Sequence, residues 1–251
     1  MSIKMGILIP STNKNLDINK YNETLLYKIF LKSFIKTYDK TYKSKSIIYK
    51  IYIVVDKDDK IYSNNENIEK ISSFVNLLKN VSIIFINNDN IEKGWVTKMW
   101  NKAFKRAYDE GCQYFYQCGD DIEFLDKGWV NSCLDQMKKH NDTGITGPID
   151  WGREQFAANK NIKTKFLLTQ TFVSRKHMDI FGFYFPEEIK NWYCDDWITY
   201  VYLSKNKFWK INKRILNKGG SPRYNPDGIG KDAIRMQKLT NNLINKYNKL
   251  L

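Results

Sequence analysis

Apolar runs alternate with helix-forming stretches along the first half of the chain, and this alternation is the strongest constraint on the fold. The run KMGILIP is expected to form a strand that ends at Pro10, IIYKIYIVVD one that ends at Asp56, and VSIIFIN one that ends near Asn87. Residues 25–34 and 66–79, which lie between these runs, have helical periodicity. The pattern predicts an α/β fold with a single Rossmann-like sheet, mixed but mostly parallel and flanked by helices.

The stretch GWVTKMWNKAFKRAYDEG predicts the strongest helix of the chain. Its apolar residues recur at helical spacing from Val96 to Tyr108, and Gly111 supplies a stop signal. The next strand, about 113–118, is apolar on both faces, which is typical of the centre of a sheet. Open α/β sheets bind their ligands at the carboxyl ends of such strands.

Three carboxylates lie at that end, in the stretch YFYQCGDDIEF: Asp120, Asp121 and Glu123. Two adjacent carboxylates repel each other unless positive charge holds them, and a divalent cation such as Mn²⁺ or Mg²⁺ is a common partner. A cation bound by Asp120 and Asp121 would keep open positions for the oxygens of a diphosphate. Gly-Asp-Asp is also ordinary turn chemistry, or a cap for a helix starting near Asp126, and the residues alone favour the turn over the cation site.

A second acidic pair, Asp195 and Asp196, lies between Trp192 and Trp197 at the expected start of a helix. Aromatic rings around two carboxylates suit a site that grips sugar rings. Partial burial would raise the pKa of a carboxylate towards values useful for a general base. Acidic residues are also favoured in the first turn of any helix, so helix capping is an equally strong interpretation.

Composition limits the class of protein. A chain of 251 residues with 42% hydrophobic residues can bury a substantial core, and we expect one domain over 1–251. Its parts are a first half (1–125), a second half (126–216) and a C-terminal loop and helix (217–251). The net charge of +14 attracts phosphates of some kind.

The cysteines and histidines favour no metal site of their own. Four Cys without a C-x-x-C pair and two His predict reduced thiols and no zinc site. No apolar run reaches the roughly 20 residues of a membrane span, so we expect a cytoplasmic protein. Heavy use of Lys, Asn and Ile indicates an A/T-rich genome, such as that of a giant virus or a protist.

The order of these parts resembles the nucleotide-sugar-dependent glycosyltransferases of the A-type (GT-A) fold, from about residue 4 to about residue 205. Four landmarks carry the resemblance: the loop IPSTNK after the first strand, IVVDKDD after the second, GDD at the tip of a buried strand, and CDDW opening the last core helix. The stretch GDD corresponds to a DXD-like motif. Their order is more specific than any one of them.

The resemblance implies that the half 1–125 binds the nucleotide sugar and the half 126–216 binds the acceptor, and it implies roles for single residues. On the donor side, Asp121 would bind the metal, Asp120 would contact the metal, the ribose or the donor sugar, and Asp56 would lie near the base or ribose. The other donor-binding residues would be Pro10, Ser11, Thr12, Lys98 and Asn101. By analogy with inverting members, Asp196 would be the catalytic base and Asp195 would orient the acceptor. The acceptor would contact Trp151, Arg153, Trp192 and Trp197.

The chain departs from the family pattern in two ways. Many members have a C-terminal His as a further metal ligand, but no His follows His177, which itself is expected on a helix flank without a catalytic role. Gly119 stands where a first acidic residue often occurs. The stretch NKGGSPRYNPDGIG (217–230) is expected to be a surface loop before a helix at 231–249, although Lys218 or Arg223 could close over a diphosphate.

The sequence therefore predicts a metal-dependent glycosyltransferase that moves a sugar from a UDP- or GDP-sugar to a hydroxyl group of a glycan or another acceptor, with inversion. A retaining transferase of the same fold is an alternative. A basic module that binds nucleic acid through stacked aromatics and lysines is another, but the basic residues are spread along the chain, and no nucleic-acid partner is expected. The oligomeric state is left open.

Overall fold

Nine strands form one sheet in the computed structural model, which describes residues 2–56, 58–160, 167–220 and 223–251. The strands are β1 (Ile3–Ser11), β2 (Thr41–Tyr42), β3 (Lys45–Asp56), β4 (Val81–Asn88), β5 (Tyr114–Gln117), β6 (Ile122–Phe124), β7 (Ile145–Asp150), β8 (Thr171–Ser174) and β9 (Phe208–Asn217). Their order is β4-β3-β1-β5-β8-β7-β9-β6, and β2 pairs with the start of β3. Most of these strands share one direction, while β2, β6 and β8 oppose it. The predicted mixed, mostly parallel sheet is confirmed.

Helices cover both faces of the sheet. They are α1 (Lys32–Thr37), α2 (Asn65–Asn76), α3 (Val96–Asp109), α4 (Trp129–Lys139), α5 (Trp151–Asn159), α6 (Lys176–Phe181), α7 (Cys194–Leu203) and α8 (Ala233–Tyr247). A π-helical segment, Leu26–Leu31, leads directly into α1. The chain between consecutive parallel strands β1, β3 and β4 is thus helical in part, as the alternation of apolar runs predicts.

The sheet separates two apolar cores. Ile7 and Ile9 of β1 face one core together with Phe30, whereas Leu8 faces the other together with Phe104 of α3. Alternate residues of a strand point to opposite faces, so a strand buried on both sides must be apolar throughout. This is the physical reason for the continuous apolar run of β1 in the sequence.

Strand β5 lies in the middle of the sheet, as predicted. It pairs with β1 in parallel and with β8 in antiparallel orientation, and all four of its residues are buried. Helix α3 covers one face, where the rings of Phe104 and Phe115 meet edge to face at 4.7 Å. Because β1 and β5 are parallel neighbours, the residues that follow them meet at one edge of the sheet.

Some element boundaries differ from the predictions. Strand β1 continues one residue beyond Pro10, to Ser11, and the last helix, α8, is shorter than the predicted 231–249. The helix expected near Asp126 begins at Trp129, because Gly128 adopts a left-handed conformation with φ +77° just before it. The Asp126 carboxylate instead pairs with Arg214, at 2.8 Å from its Nη2.

The structure tests the predictions on cysteines and membrane spans for the described residues. All four cysteines are buried and free of disulfides. In the described part of the chain, every helix is too short or too polar to cross a membrane. The single domain and its boundaries stay predictions.

Candidate active site

One large cavity, of about 770 Å³, opens at the carboxyl edge of the sheet. It lies beyond the ends of β1, β5 and β7 and against the start of α7. A volume of this size accommodates a ligand as large as a nucleotide sugar. Its polar lining includes Ser11 and Thr12 at the end of β1, Asp121 after β5, Asp150 and Arg153 at the end of β7, and Asp195 and Asp196 at the start of α7.

Asp120 lies just behind the cavity wall and is completely buried. The Ser11 hydroxyl donates a hydrogen bond to its Oδ2 at 2.5 Å. The Arg223 guanidinium binds both carboxylate oxygens, with Nη1 at 2.8 Å from Oδ2 and Nη2 bonded to Oδ1. A buried carboxylate is stable only when charge and hydrogen bonds compensate it. Asp120 therefore ties together the ends of β1 and β5 and the stretch after β9.

Asp121 lines the cavity and is held between two glycines. A Cβ atom added to Gly119 would overlap Oδ1 of Asp121, and one added to Gly219 would overlap Oδ2. Arg223 Nη2 lies 3.4 Å from Oδ2. Burial and the neighbouring Asp120 charge raise the pKa of Asp121 to about 6, against the opposing effect of Arg223. The close approach of the carboxylate explains why glycine stands at position 119 instead of a third acidic residue.

The structure confirms the turn interpretation of Gly-Asp-Asp, and the cation site stays a prediction. Asp120 and Asp121 do form the turn between β5 and β6. They do not cap α4, whose N-cap residue is Gly128 and receives no side-chain hydrogen bond. Glu123 points away from the pair to Lys218, whose Nζ lies 2.7 Å from its Oε2. The turn thus presents Asp121 to the cavity with Asp120 as its buried support.

The carboxylate pair offers hard oxygen ligands of the type that Mn²⁺ and Mg²⁺ prefer. A cation already stands beside it, because the Arg223 guanidinium binds both oxygens of Asp120. In the part of the chain that the structure describes, no cluster of three or more His, Cys, Asp or Glu side chains completes a metal cage. The pair fits a divalent ion that takes its other ligands from phosphate and water, provided that Arg223 yields its place on Asp120.

The second acidic pair, Asp195 and Asp196, lines the same cavity from the start of α7. Tyr193, the residue before α7, has φ +73°, a left-handed conformation that is uncommon outside glycine and places the first turn of α7 at the cavity wall. The Asp196 backbone N–H donates to Oδ1 of Asp195 at 3.1 Å, and Nη1 of Arg153 lies 3.9 Å from Oδ2 of Asp195. Burial and the Asp196 charge raise the pKa of Asp195 to about 6, while Arg153 opposes the shift.

Asp56 lies apart from the large cavity. It lines a second cavity of about 330 Å³ together with Thr12, which also lines the first. The Asp56 Oδ2 accepts a hydrogen bond from the Tyr224 hydroxyl at 2.5 Å, and the Asn88 amide lies 3.4 Å from its Oδ1. Tyr224, which lines the large cavity, thus contacts a residue that lines the smaller one.

Three residues predicted for the site have other contacts. The Lys98 ammonium lies 3.6 Å from Glu187 and 3.9 Å from the centre of the Trp95 ring, outside the cavity lining. The Asn101 amide bonds the backbone of residues 184 and 185 through three hydrogen bonds of 2.9 Å. Trp197 is fully buried among aromatic rings in the core. The sequence of an amphipathic helix does not show which of its side chains contact a ligand. The same holds for a single Trp, which suits a binding site and a core equally well.

The predicted acceptor residues behave differently from one another. Trp192 lines the cavity and is 47% exposed, which leaves its ring available for stacking. Trp151 is also exposed but lies outside the lining, with the Arg214 guanidinium 5.6 Å from its ring centre. Arg153 lines the cavity beside Asp195.

Sequence reasoning missed several lining residues, among them Asp150. Its Oδ1 accepts the Arg153 backbone N–H at 3.3 Å, which caps α5, and the Thr169 hydroxyl donates to its Oδ2 at 3.2 Å. An Asp between a strand and a helix is the available signal, because parallel strands end at one edge of the sheet. Gln117, Gln170 and Asn191 carry no comparable pattern.

Comparisons with known proteins find structural relatives only. No protein-family model and no curated protein matches the sequence. The structure is similar to that of S. aureus TarS residues 1–349 in complex with UDP, with a TM-score of 0.51 and 16% identity over 85% of this chain. A second structure of S. aureus TarS gives a TM-score of 0.52 and 15% identity, also over 85%. The chain spans 60% of the first TarS structure and 36% of the second. This likeness confirms the predicted fold.

Proposed function

We propose that the chain is a glycosyltransferase that moves a sugar from a nucleoside diphosphate sugar to a hydroxyl group of an acceptor. The observation that carries the proposal is the presence of two carboxylate pairs at one cavity, one beside a buried cation and one at a helix start. Transfer of a sugar needs both a site that neutralises the departing diphosphate and a base for the attacking hydroxyl.

The donor would bind on the side of β1 and β5. Ser11 and Thr12 line the cavity where the nucleotide would lie, and Asp121 would face its diphosphate. Asp121 and Asp120 would hold a Mn²⁺ or Mg²⁺ ion, which when bound neutralises the charge that grows on the leaving diphosphate. The fold shared with TarS, whose structure contains UDP, favours a uridine over a guanosine nucleotide.

The acceptor would bind on the side of α7. Asp196 would take the proton of the acceptor hydroxyl, and Asp195 and Arg153 would orient that hydroxyl towards the donor sugar. Trp192 offers an exposed ring for stacking against an acceptor sugar. A base that lies across the cavity from the diphosphate suits a single displacement, in which the sugar inverts its configuration.

A binding and turnover experiment tests this proposal. The wild-type protein is mixed with UDP, GDP and their hexose conjugates, with and without Mn²⁺, and the shift of the melting temperature and the release of nucleotide are measured. We expect stabilisation by one nucleotide, a larger shift with Mn²⁺, and a loss of both in Asp121→Asn. Asp109→Asn, which alters an exposed carboxylate paired with Lys105, serves as the matched control.

Other outcomes would separate the alternatives. A product that keeps the donor's anomeric configuration in an NMR spectrum would favour the retaining transferase. Absence of any nucleotide shift, together with salt-dependent binding of a DNA or RNA oligomer, would replace the proposal with the nucleic-acid module.

A further inference from the structure

Two consecutive residues, Arg223 and Tyr224, occupy two separate parts of the proposed donor site. The Arg223 guanidinium binds Asp120, and its Nη1 also donates to the Thr12 carbonyl at 2.8 Å. The Tyr224 hydroxyl bonds Asp56 at 2.5 Å. These two carboxylates are the residues expected to meet the donor's sugar, ribose or base, so each contact is one that the donor itself would otherwise make.

The two side chains are also well packed. The Arg223 side chain is only 15% exposed. The Tyr224 ring packs against Gly94, where an added Cβ would lie 3.2–3.3 Å from the Tyr224 side chain. Three residues further on, the Asp227 backbone N–H donates to the Asn191 side chain at 3.0 Å. The expectation of a plain surface loop does not describe these residues.

Their position divides the space that a nucleotide sugar needs. Tyr224 lines the large cavity, while its partner Asp56 lines the smaller one, and Thr12 lines both. Withdrawal of the Tyr224 side chain would release Oδ2 of Asp56, on the wall of the smaller cavity, for contact with a ligand. Withdrawal of Arg223 would leave the negative charges of Asp120 and Asp121 without a compensating cation. A divalent ion would then take the place of the guanidinium.

We propose that Arg223 and Tyr224 form a plug that closes the donor site from within the chain, and that a nucleoside diphosphate donor must displace them to bind. This inference rests on the proposed function. The apparent affinity for the donor is then reduced by the fraction of molecules in which the plug is closed. The guanidinium stabilises the acidic pair in the free protein, so the empty site is both stable and inactive.

A conservative variant weakens the plug without disturbing the core. Tyr224→Phe keeps the ring on Gly94 and removes the hydroxyl that bonds Asp56 and Thr12. We expect UDP, titrated by calorimetry in the presence of Mn²⁺, to bind the variant about fivefold more tightly than the wild type. Tyr108→Phe removes a similar Tyr–Asp hydrogen bond, of 2.7 Å to Asp179, away from both cavities, and should leave the Kd unchanged.

A reversible lock tests the same idea in the opposite direction. The double variant Gly94→Cys, Tyr224→Cys places two Cβ atoms about 3.2 Å apart, closer than the roughly 3.5–4.5 Å of a relaxed disulfide, and Gly94 has φ +83°, so the bond forms with some strain. The disulfide would fix the backbone at position 224 and thereby keep the Arg223 side chain on Asp120. We expect the oxidised form to lose at least tenfold in affinity for UDP and to regain it on reduction with dithiothreitol. The reduced form of the same protein is the control for any effect of the substitutions.

The outcomes distinguish the plug from the function on which it rests. If the wild type binds UDP but Tyr224→Phe binds it equally or less well, and oxidation of the double variant changes nothing, the plug is overturned and the proposed function stands. If none of these proteins binds UDP or GDP in any state, the proposed function fails and the plug fails with it.

Discussion

The two carboxylate pairs of the cavity share a composition and differ in their surroundings. Asp120 and Asp121 meet a guanidinium at contact distance, and Asp120 is fully buried. Asp195 is partly buried in the first turn of α7, and Nη1 of Arg153 lies 3.9 Å from its Oδ2. The guanidinium holds Asp120 in place between the ends of β1 and β5, whereas Asp195 and Asp196 line the cavity from the first turn of α7. Under the proposed function, the first pair would stabilise the charge of the diphosphate and the second would orient the acceptor and take its proton.

The largest expected effect is on the turnover rate of a variant at Asp196, and it distinguishes the roles of the two pairs. Asp196→Asn removes the proposed base while it keeps the shape of the side chain, and it should lower kcat by about 10²–10⁴-fold. The Kd for UDP should stay within about twofold of the wild type, because the nucleotide would lie on the other side of the cavity. Single-turnover kinetics and calorimetry measure the two quantities. A loss of UDP affinity equal to the loss of rate would contradict the division of roles.

Removal of the buried carboxylate is expected to act on stability. Asp120→Ala leaves the Arg223 guanidinium without its main partner and should lower the free energy of unfolding by about 3–5 kcal/mol. Urea unfolding followed by circular dichroism measures the change. Asp196→Ala, at the cavity surface, should cost far less. Similar losses for the two variants would mean that the pairs do not differ as their surroundings indicate.

The third prediction concerns the pH dependence of stability. The pKa of Asp195 is raised to about 6 in the folded protein, from an ordinary value of 3.8. The folded state therefore binds more protons than the unfolded state between these values, and the contribution of Asp195 to stability is present at low pH and lost as pH rises through 6. The contribution is at most about 3 kcal/mol. Asp195→Asn should flatten the decrease of stability between pH 4 and pH 7.

The comparison with Asp121 sharpens this test. Its pKa is raised to about 6 as well, so Asp121→Asn should flatten the same range of pH. The two variants should differ in their response to ligand. In Asp195→Asn, where Asp121 still titrates, UDP and Mn²⁺ should shift the pH dependence of stability. In Asp121→Asn, where Asp195 still titrates, they should leave it in place. Melting curves from pH 4 to pH 8, with and without ligand, record both effects. Equal ligand shifts in both variants would place the two carboxylates in one electrostatic unit.

The fold is largely predictable because its inner strands are buried on both faces. The runs that form β1, β3 and β5 are continuous and largely apolar. In the helices between them, apolar residues recur about every 3.6 residues. Strand β8 has only four residues and no periodicity of its own. Its central place, antiparallel to β5, is decided by tertiary pairing that no local pattern encodes.

The site is predictable where backbone geometry determines it. Asp121 follows a central strand and Asp195 opens a helix, and both positions point to the carboxyl edge of the sheet. Arg223 lies about 100 residues away from Asp120 in a Gly- and Pro-rich stretch without periodicity, so no spacing identifies it as the partner. Asn101 and Trp197 show the converse, since their residue types suit a ligand and the structure uses them for backbone bonding and packing.

The smallest expected effect concerns the glycine beside Asp121. Gly119→Ala adds a Cβ that overlaps the Asp121 carboxylate, which must rotate away, whereas the position itself has no need for a left-handed backbone. We expect a loss of about 1 kcal/mol or less in stability, because the overlapping atoms belong to a movable side chain. The affinity for UDP with Mn²⁺ should fall several-fold, since the carboxylate no longer faces the diphosphate. Gly152→Ala overlaps Leu216 instead, so it should cost similar stability and leave UDP affinity unchanged. Equal affinity in the two variants would show that the orientation of Asp121 is not what the donor requires.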